Sequence, residues 1–243
     1  MLPDHGSAAE TPAPTPSDRV TALFEVLLCS GFPTQALVVG VLAVAGYRPP
    51  APELTLSYVV ALSLIDSAVL VTLIVVFMRL RGERVADVFF GDRPIGREAA
   101  AGVALIFVAL AIGIGVLTLL QMFAPGLHDV ERNPLQALIH TPRDAAVFGL
   151  VVVIAGGVRE ELQRAFLLRR FERQLGGPVL GVIVASAAFG AGHRVQGADA
   201  AIATTLLGAF WAVTYLRRRS VVAPIVSHSG FNLLQLLQFV TLG

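Results

Sequence analysis

Long apolar runs recur along the whole chain and constrain its fold more than any other feature. A helix needs about 20 apolar residues to cross the hydrocarbon core of a bilayer. The runs lie at 21–47, 54–78, 99–123, 145–166, 178–192, 200–216 and 221–242. Soluble domains contain about 25% charged residues, whereas this chain is 14% charged and 55% hydrophobic. We therefore predict an all-α polytopic membrane protein with about seven transmembrane helices.

The residues outside and inside these runs set the expected domain organisation. Residues 1–18 are rich in Pro, Ala, Ser and Thr and are expected to form a disordered cytoplasmic tail. Residues 19–243 are expected to form a single transmembrane helical domain. Pro33 lies inside the first run, where it predicts a kink.

The chain contains 18 arginines and no lysine, and the distribution of the arginines predicts the orientation of the chain. Cytoplasmic loops of membrane proteins carry an excess of basic residues. Seven crossings place twelve arginines on one side: Arg19, Arg79, Arg81, Arg84, Arg93, Arg97, Arg169, Arg170, Arg173, Arg217, Arg218 and Arg219. The other side receives Arg48, Arg132, Arg143 and Arg194. The N-terminus is therefore predicted to be cytoplasmic and the C-terminus to lie outside the plasma membrane. A net charge of +1 without a basic tract gives no reason to expect a nucleic-acid partner.

A charged motif interrupts the fourth run, where residues 158–164 read VREELQR. Ionisable groups at membrane depth are costly, so they indicate a functional site. Helical spacing lets Arg164 pair with Glu160 (i, i+4) or with Glu161 (i, i+3), and the two adjacent glutamates point about 100° apart. One carboxylate can then be held by the arginine while the other accepts a proton from water. The alternative interpretation is a solvated helix end at the cytoplasmic surface.

Two further polar motifs lie in other apolar runs. His193 follows Phe189 by four residues in the fifth run. His228 and Asn232 are four residues apart in the seventh run and therefore share a helix face. Polar motifs in three separate apolar runs are hard to justify without a pocket that uses them, so we expect them to meet.

The ordered set of motifs, a glutamate pair with a following arginine, then Phe-x-x-x-His, then His-x-x-x-Asn, resembles the CPBP family of intramembrane proteases. This family is also called Abi and includes the type II CAAX prenyl endopeptidases and bacteriocin-processing or immunity proteases. The resemblance covers residues 145–243. It implies a CAAX-protease-like helical bundle that cleaves a peptide bond of a membrane-associated peptide or protein in contact with the lipid bilayer.

The resemblance also implies a role for each motif residue. Glu160 and His193 would activate a water molecule. His228 and Asn232 would stabilise the oxyanion, and Phe189 would orient the site. A base, an oriented water and donors directed at the developing negative charge are sufficient for amide hydrolysis.

The glutamate motif departs from the family pattern, which is Glu-Glu-x-x-x-Arg, because it is one residue shorter. Alignment on the glutamates makes Glu160 the base and Glu161 the partner of Arg164. Alignment on the arginine places Arg159 at the first glutamate position and makes Glu160 the partner of Arg164. Both alignments stay open from the sequence, as does altered or lost activity.

No cofactor is expected, although a zinc site is a second possibility. Glu160, His193 and His228 would supply three ligands and leave an open position, as in catalytic zinc sites. The sequence contains no His-Glu-x-x-His motif, and Asn232 suits oxyanion donation better than zinc ligation.

Other polar and aromatic residues of the apolar runs are interpreted as structural. Asp66 is expected to form an internal pair, with Arg159 as a partner. Glu25 is expected to lie at the membrane interface, and Trp211 is expected to anchor in the headgroup region. His128 is expected to be solvated in an outside loop.

The sequence as a whole favours an endopeptidase with a cavity that opens toward the cytoplasm. The alternative is a non-catalytic membrane binding or immunity protein, or a small transporter, that uses the same polar cluster. A transporter typically has broken helices in two related halves, and the sequence shows no such symmetry.

Overall fold

A computed structural model describes residues 13–48, 54–131 and 133–242, and within these ranges the chain is helical and contains no strand. The helices are α1 (Pro16–Leu28), α2 (Phe32–Val44), α3 (Leu56–Leu80), α4 (Val85–Phe89), α5 (Ile95–Phe123), α6 (Pro142–Val151), a π-helix (Val152–Arg159), α7 (Glu160–Gln174), α8 (Pro178–Gly192), α9 (Ala198–Arg218) and α10 (Val222–Leu242). Residues 1–12 of the predicted tail lie outside the described residues.

Three of these helices, α3, α5 and α9, are long and apolar enough to cross a membrane. The pair α1 and α2 makes a fourth if the two helices form one bent span. An all-helical membrane protein is therefore confirmed, but the predicted count of seven crossings is not.

The first apolar run is broken rather than kinked. Helices α1 and α2 meet at an angle of 46°, and Gly31 between them has a φ of 92°. Glycine adopts this left-handed conformation without the steric cost of a Cβ. Pro33 lies in the first turn of α2. Backbone N–H groups in the first turn make no hydrogen bond within the helix, so proline removes none there. The proline therefore starts a second helix instead of bending one.

The fourth apolar run lies within a continuous helical segment that extends beyond its predicted end at residue 166. Thr141 and Asp144 form a capping box at the start of α6, and the segment continues through the π-helix to Gln174 in α7. The backbone N–H of Gly177 then donates to the carbonyl of Phe171, which satisfies a carbonyl group at the end of α7.

We call the region where α3, α7 and α9 end and α5 begins the arginine end of the bundle. Arg170 donates to Glu83 (2.7 Å) and Arg219 donates to Glu172 (2.6 Å). Similar pairs join Arg169 and Arg173 to Glu83, and Arg218 to Glu98. Most of the arginines that the sequence groups together therefore meet at one end.

Glu25 lies in this end and is buried and paired, which the sequence did not predict. Arg81 donates to one of its carboxylate oxygens (2.7 Å) and Arg170 donates to the other (2.5 Å). The side chain of Arg170 is fully buried and also holds Glu83. We call these four residues the Glu25 cluster. It fastens α1 and the end of α3 to α7.

The opposite region, which we call the loop end, is formed by residues 124–131 and 133–141 and by the connection between α8 and α9. His128 lies 2.7 Å from Asp199, so it is paired rather than simply solvated as predicted. Arg194 pairs with Asp129. The backbone N–H of Ala198 donates to Asp129 (2.8 Å) and lowers the pKa of that carboxyl group. Residues 124–131 and 133–141 are therefore fastened to the connection between α8 and α9 and to the start of α9.

Candidate active site

A cavity of about 1340 Å³ lies inside the bundle, and residues of all three motifs line it. The lining includes Glu160 and Arg164 of α7, His193 after α8, and His228 and Asn232 of α10. The motifs therefore meet at one site. In α3 and α5 the lining residues lie in the halves of the helices toward the loop end.

Glu161 lies behind the cavity wall and is 1% exposed. Arg164 donates to its Oε1 atom, and the Nδ1 atom of His228 lies 2.8 Å from the same oxygen. Because an ionised carboxylate only accepts hydrogen bonds, the Nδ1–H of His228 is the donor. Glu161 therefore joins α7 to α10 and fixes the ring of His228.

Glu160 has a different environment, since 17% of its side chain is exposed and it faces the cavity. Its Oε2 atom lies 3.8 Å from the Nε2 atom of His228, and its Oε1 atom lies 4.0 Å from Nη1 of Arg159. Hydrogen bonds measure about 2.8 Å, so one water molecule can contact both Oε2 and Nε2. Glu160 therefore remains available to such a water molecule.

His193 lies on another part of the cavity wall. Its Nδ1 atom is 2.8 Å from the carbonyl oxygen of Phe189, so Nδ1 carries the proton and Nε2 is an acceptor in the neutral ring. Among the described residues, no carboxylate oxygen lies within 4.0 Å of this imidazole. The ring of Phe189 lies 4.7 Å below the guanidinium of Arg164, which holds both side chains in place.

Two glycines of the π-helix allow α10 to approach closely. A Cβ atom on Gly156 would lie 2.7 Å from Nδ2 of Asn232, and one on Gly157 would overlap the hydroxyl of Ser229. The sequence analysis missed these glycines, although a Gly-Gly pair directly before ionisable residues was a visible signal. Their small size places Asn232 against the helix that carries the glutamates.

Trp211 is the second feature that the sequence analysis missed. Its indole stacks on the imidazole of His228 with centroids 3.8 Å apart and an interplanar angle of 15°. Its Nε1–H donates to Ser227 (3.2 Å), and the side chain is buried. The predicted headgroup anchor is therefore wrong. A buried and an interfacial tryptophan give the same sequence pattern near the end of an apolar run.

Asp66 accepts a hydrogen bond from Arg159 (2.5 Å), which is the internal pair expected for it. The contact joins α3 to the π-helix directly before the glutamate motif. The second oxygen of Asp66 is buried without a hydrogen-bond partner in the described residues.

The zinc alternative does not fit the geometry of the described residues. No group of three or more His, Cys, Asp or Glu side chains among them is arranged to hold a metal ion. His193 stands apart from Glu160, and the Nδ1 atom of His228 is already engaged by Glu161. We therefore assign no step of the reaction to a metal.

Comparison with protein families identifies the class of protein to which this site belongs. Residues 142–234 match the family model described as type II CAAX prenyl endopeptidase Rce1-like. The matched segment contains every motif residue from Glu160 to Asn232. The match confirms the resemblance of this part of the chain to the CPBP proteases. Searches among curated proteins and among solved structures gave no match.

Proposed function

We propose that the protein is an intramembrane endopeptidase that hydrolyses a peptide bond of a membrane-associated substrate, with Glu160 as the general base. The observation that carries this proposal is the contrast between adjacent carboxylates. Glu161 is bonded to Arg164 and His228, whereas Glu160 faces the cavity with Nε2 of His228 3.8 Å away and Nη1 of Arg159 4.0 Å away. A general base must be free to take a proton from water.

The proposed reaction begins with a water molecule held between Glu160 and His228. Glu160 accepts a proton from this water as the water oxygen forms a bond to the carbonyl carbon of the substrate. The carbon–nitrogen bond then breaks, and Glu160 returns the proton to the leaving amine. No covalent intermediate with the protein is needed, and all transferred atoms come from water and substrate.

Oxyanion stabilisation is assigned to the face of α10 that lines the cavity. The amide of Asn232 supplies one donor, and the Nε2–H of His228 supplies another when the ring is doubly protonated. Glu161 at Nδ1 and the stacked indole of Trp211 hold the ring of His228 in position. His193 is assigned to orienting the water, because the Nδ1 contact with Phe189 leaves Nε2 as an acceptor.

The pairing of Arg164 also supports Glu160 over Glu161 as the base. Under the arginine-anchored alignment, Arg164 would hold Glu160, and Glu161 would have no role in the site. The observed bonds of Arg164 and His228 are both to Glu161, which is the arrangement expected from the glutamate-anchored alignment.

The test is a cleavage assay with purified protein in nanodiscs and a panel of membrane-tethered peptides, both prenylated and unprenylated. Mass spectrometry of the products should reveal a single cleavage site in at least one peptide. The Glu160→Gln protein should bind the same peptide and leave it intact. Binding without cleavage by the wild-type protein across the panel would favour the non-catalytic binding alternative.

A further inference from the structure

The cavity walls come mainly from the parts of the helices nearer the loop end. The lining residues of α3 and of the connection before it fall within 54–67, and those of α5 fall within 110–121. Among the described residues, the arginine-end halves of α3 and α5 contribute nothing to the lining. The lining ranges of α9, 199–211, and of α10, 228–242, extend past the middle of each helix toward the arginine end.

The arginine end of the cavity is closed by packed side chains. Val26, Leu167 and Phe171 form its floor and are all buried. Beneath this floor lies the Glu25 cluster, in which Arg170 is 0% exposed. A polar peptide segment would have to displace both the apolar floor and paired charges to pass here.

The loop end of the cavity has a different lining, which is rich in uncharged amides. Six of the lining side chains are carboxamides toward this end: Gln121, Asn133, Gln136, Gln196, Gln235 and Gln238. A carboxamide both donates and accepts hydrogen bonds. An extended peptide at membrane depth has backbone N–H and C=O groups that need such partners. The amides therefore suit the backbone of a peptide better than a hydrocarbon chain.

We propose that the peptide segment to be cleaved enters from the loop end, along the amide-lined wall, and descends to Glu160. This inference rests on the proposed endopeptidase function and specifies its substrate class. Because basic residues mark the cytoplasmic side, the loop end is the extracytoplasmic end. The substrate is then a membrane-anchored peptide or protein whose scissile segment lies on the extracytoplasmic side.

The single cysteine of the chain makes this inference testable by site-directed labelling. Cys29 is buried, and Gln163 contacts only its backbone carbonyl, so Cys29→Ala gives a cysteine-free parent. Three variants are built on that parent. Gln136→Cys lies in the cavity wall, whereas Arg143→Cys is exposed at the loop end outside the wall. Arg84→Cys lies at the arginine end, where the Arg84 side chain is 81% exposed.

The first measurement treats intact cells with a bulky thiol reagent that does not cross membranes. Gln136→Cys and Arg143→Cys should be labelled, and Arg84→Cys should be labelled only after the cells are opened. The second measurement compares cleavage by each purified variant before and after labelling. Labelling should reduce cleavage by Gln136→Cys at least tenfold and change cleavage by the other two variants less than twofold.

Each contrary outcome has a distinct meaning. Labelling of Arg84→Cys in intact cells would reverse the orientation and overturn the extracytoplasmic substrate class. Unchanged cleavage after complete labelling of Gln136→Cys would show that the peptide enters elsewhere, from the lipid or from the arginine end. If the cysteine-free parent, folded by circular dichroism, cleaves no peptide that the wild type cleaves, Cys29→Ser replaces it as the parent. If the wild type cleaves nothing, the proposed function fails, and this inference falls with it.

Discussion

Two clusters of buried charge each include arginines of α7, and they differ in how completely their carboxylates are paired. In the Glu25 cluster, both oxygens of Glu25 and both oxygens of Glu83 accept hydrogen bonds from arginine. Four arginines, Arg81, Arg169, Arg170 and Arg173, serve these two glutamates. Cations exceed carboxylates, and no acceptor is left over.

The cluster at the cavity instead contains more carboxylates than arginines. Three carboxylates, Asp66, Glu160 and Glu161, share two arginines, Arg159 and Arg164, together with His228. Oxygens of Asp66 and Glu161 are buried without a hydrogen-bond partner in the described residues. An excess of carboxylates beside a cavity leaves one carboxylate available as a proton acceptor. An excess of arginines in a closed core only holds the helices together. Burial and charge alone therefore do not identify the functional cluster.

The largest expected effect is on turnover in the Glu160→Gln variant. Glutamine preserves size and polarity but cannot accept the proton, and a general base contributes roughly 10²–10⁴-fold to rate. Turnover should fall by this factor while the thermal unfolding midpoint in detergent stays within about a degree of the wild type. A stable and fully active Glu160→Gln protein would mean that this helix does not supply the base.

Glu161→Gln should affect both stability and turnover. The change leaves Arg164 without its counter-charge, and breaking a buried pair from one side typically costs about 3–5 kcal/mol. It also releases the Nδ1–H of His228 from a carboxylate, so the remaining folded protein should turn over more slowly. Equilibrium unfolding and active-site-normalised turnover measure the two effects separately. Lost turnover with wild-type stability would instead fit Glu161 as the base.

Asn232→Ala should affect turnover alone. Loss of one oxyanion donor typically lowers kcat by about 10²–10³-fold, and KM should change little because the donor acts on charge that develops in the transition state. The matched control is Thr241→Ala, an exposed position of α10 outside the cavity wall. Unchanged kcat in Asn232→Ala would remove this residue from the mechanism.

Arg170→Gln tests whether the Glu25 cluster contributes only to stability. Glu25 keeps Arg81, and Glu83 keeps Arg169 and Arg173, so the loss of stability should be near the lower limit for a buried pair, about 3 kcal/mol. Turnover per folded molecule should stay within about twofold of the wild type. A drop in kcat comparable to that of Asn232→Ala would assign the Glu25 cluster a part in the reaction.

Much of the site could be predicted from the sequence because motif residues three and four positions apart must share a helix face. This rule limited Arg164 to two partners and placed His228 and Asn232 together. It could not choose between Glu160 and Glu161, because the π-helix before them shifts the phase of the helix, and residues 152–159 look like ordinary helix formers apart from two glycines.

Long-range packing accounts for what the sequence could not predict. Trp211 was taken for a headgroup anchor because its partner, His228, is 17 residues away on another helix. The pairing of Glu25 was not predicted because its arginines lie 56 and 145 residues further along the chain. The position of the cavity depends on where several helices move apart along their length. Hydropathy along the sequence does not indicate where helices separate.

The smallest expected effect is that of a metal chelator. Glu160 and His228 can polarise one water molecule through atoms 3.8 Å apart, and His193 lies too far from every described carboxylate to complete a compact ligand set. Removal of divalent metal by prolonged dialysis against a strong chelator should therefore change kcat less than twofold, and added zinc should not restore the Glu160→Gln protein. Loss of activity on chelation with recovery on zinc addition would contradict this, provided that metal analysis finds about one zinc per active protein. His193→Ala would then separate the two assignments further, since loss of a zinc ligand removes the bound metal, whereas loss of a water-orienting histidine lowers kcat and leaves metal content unchanged.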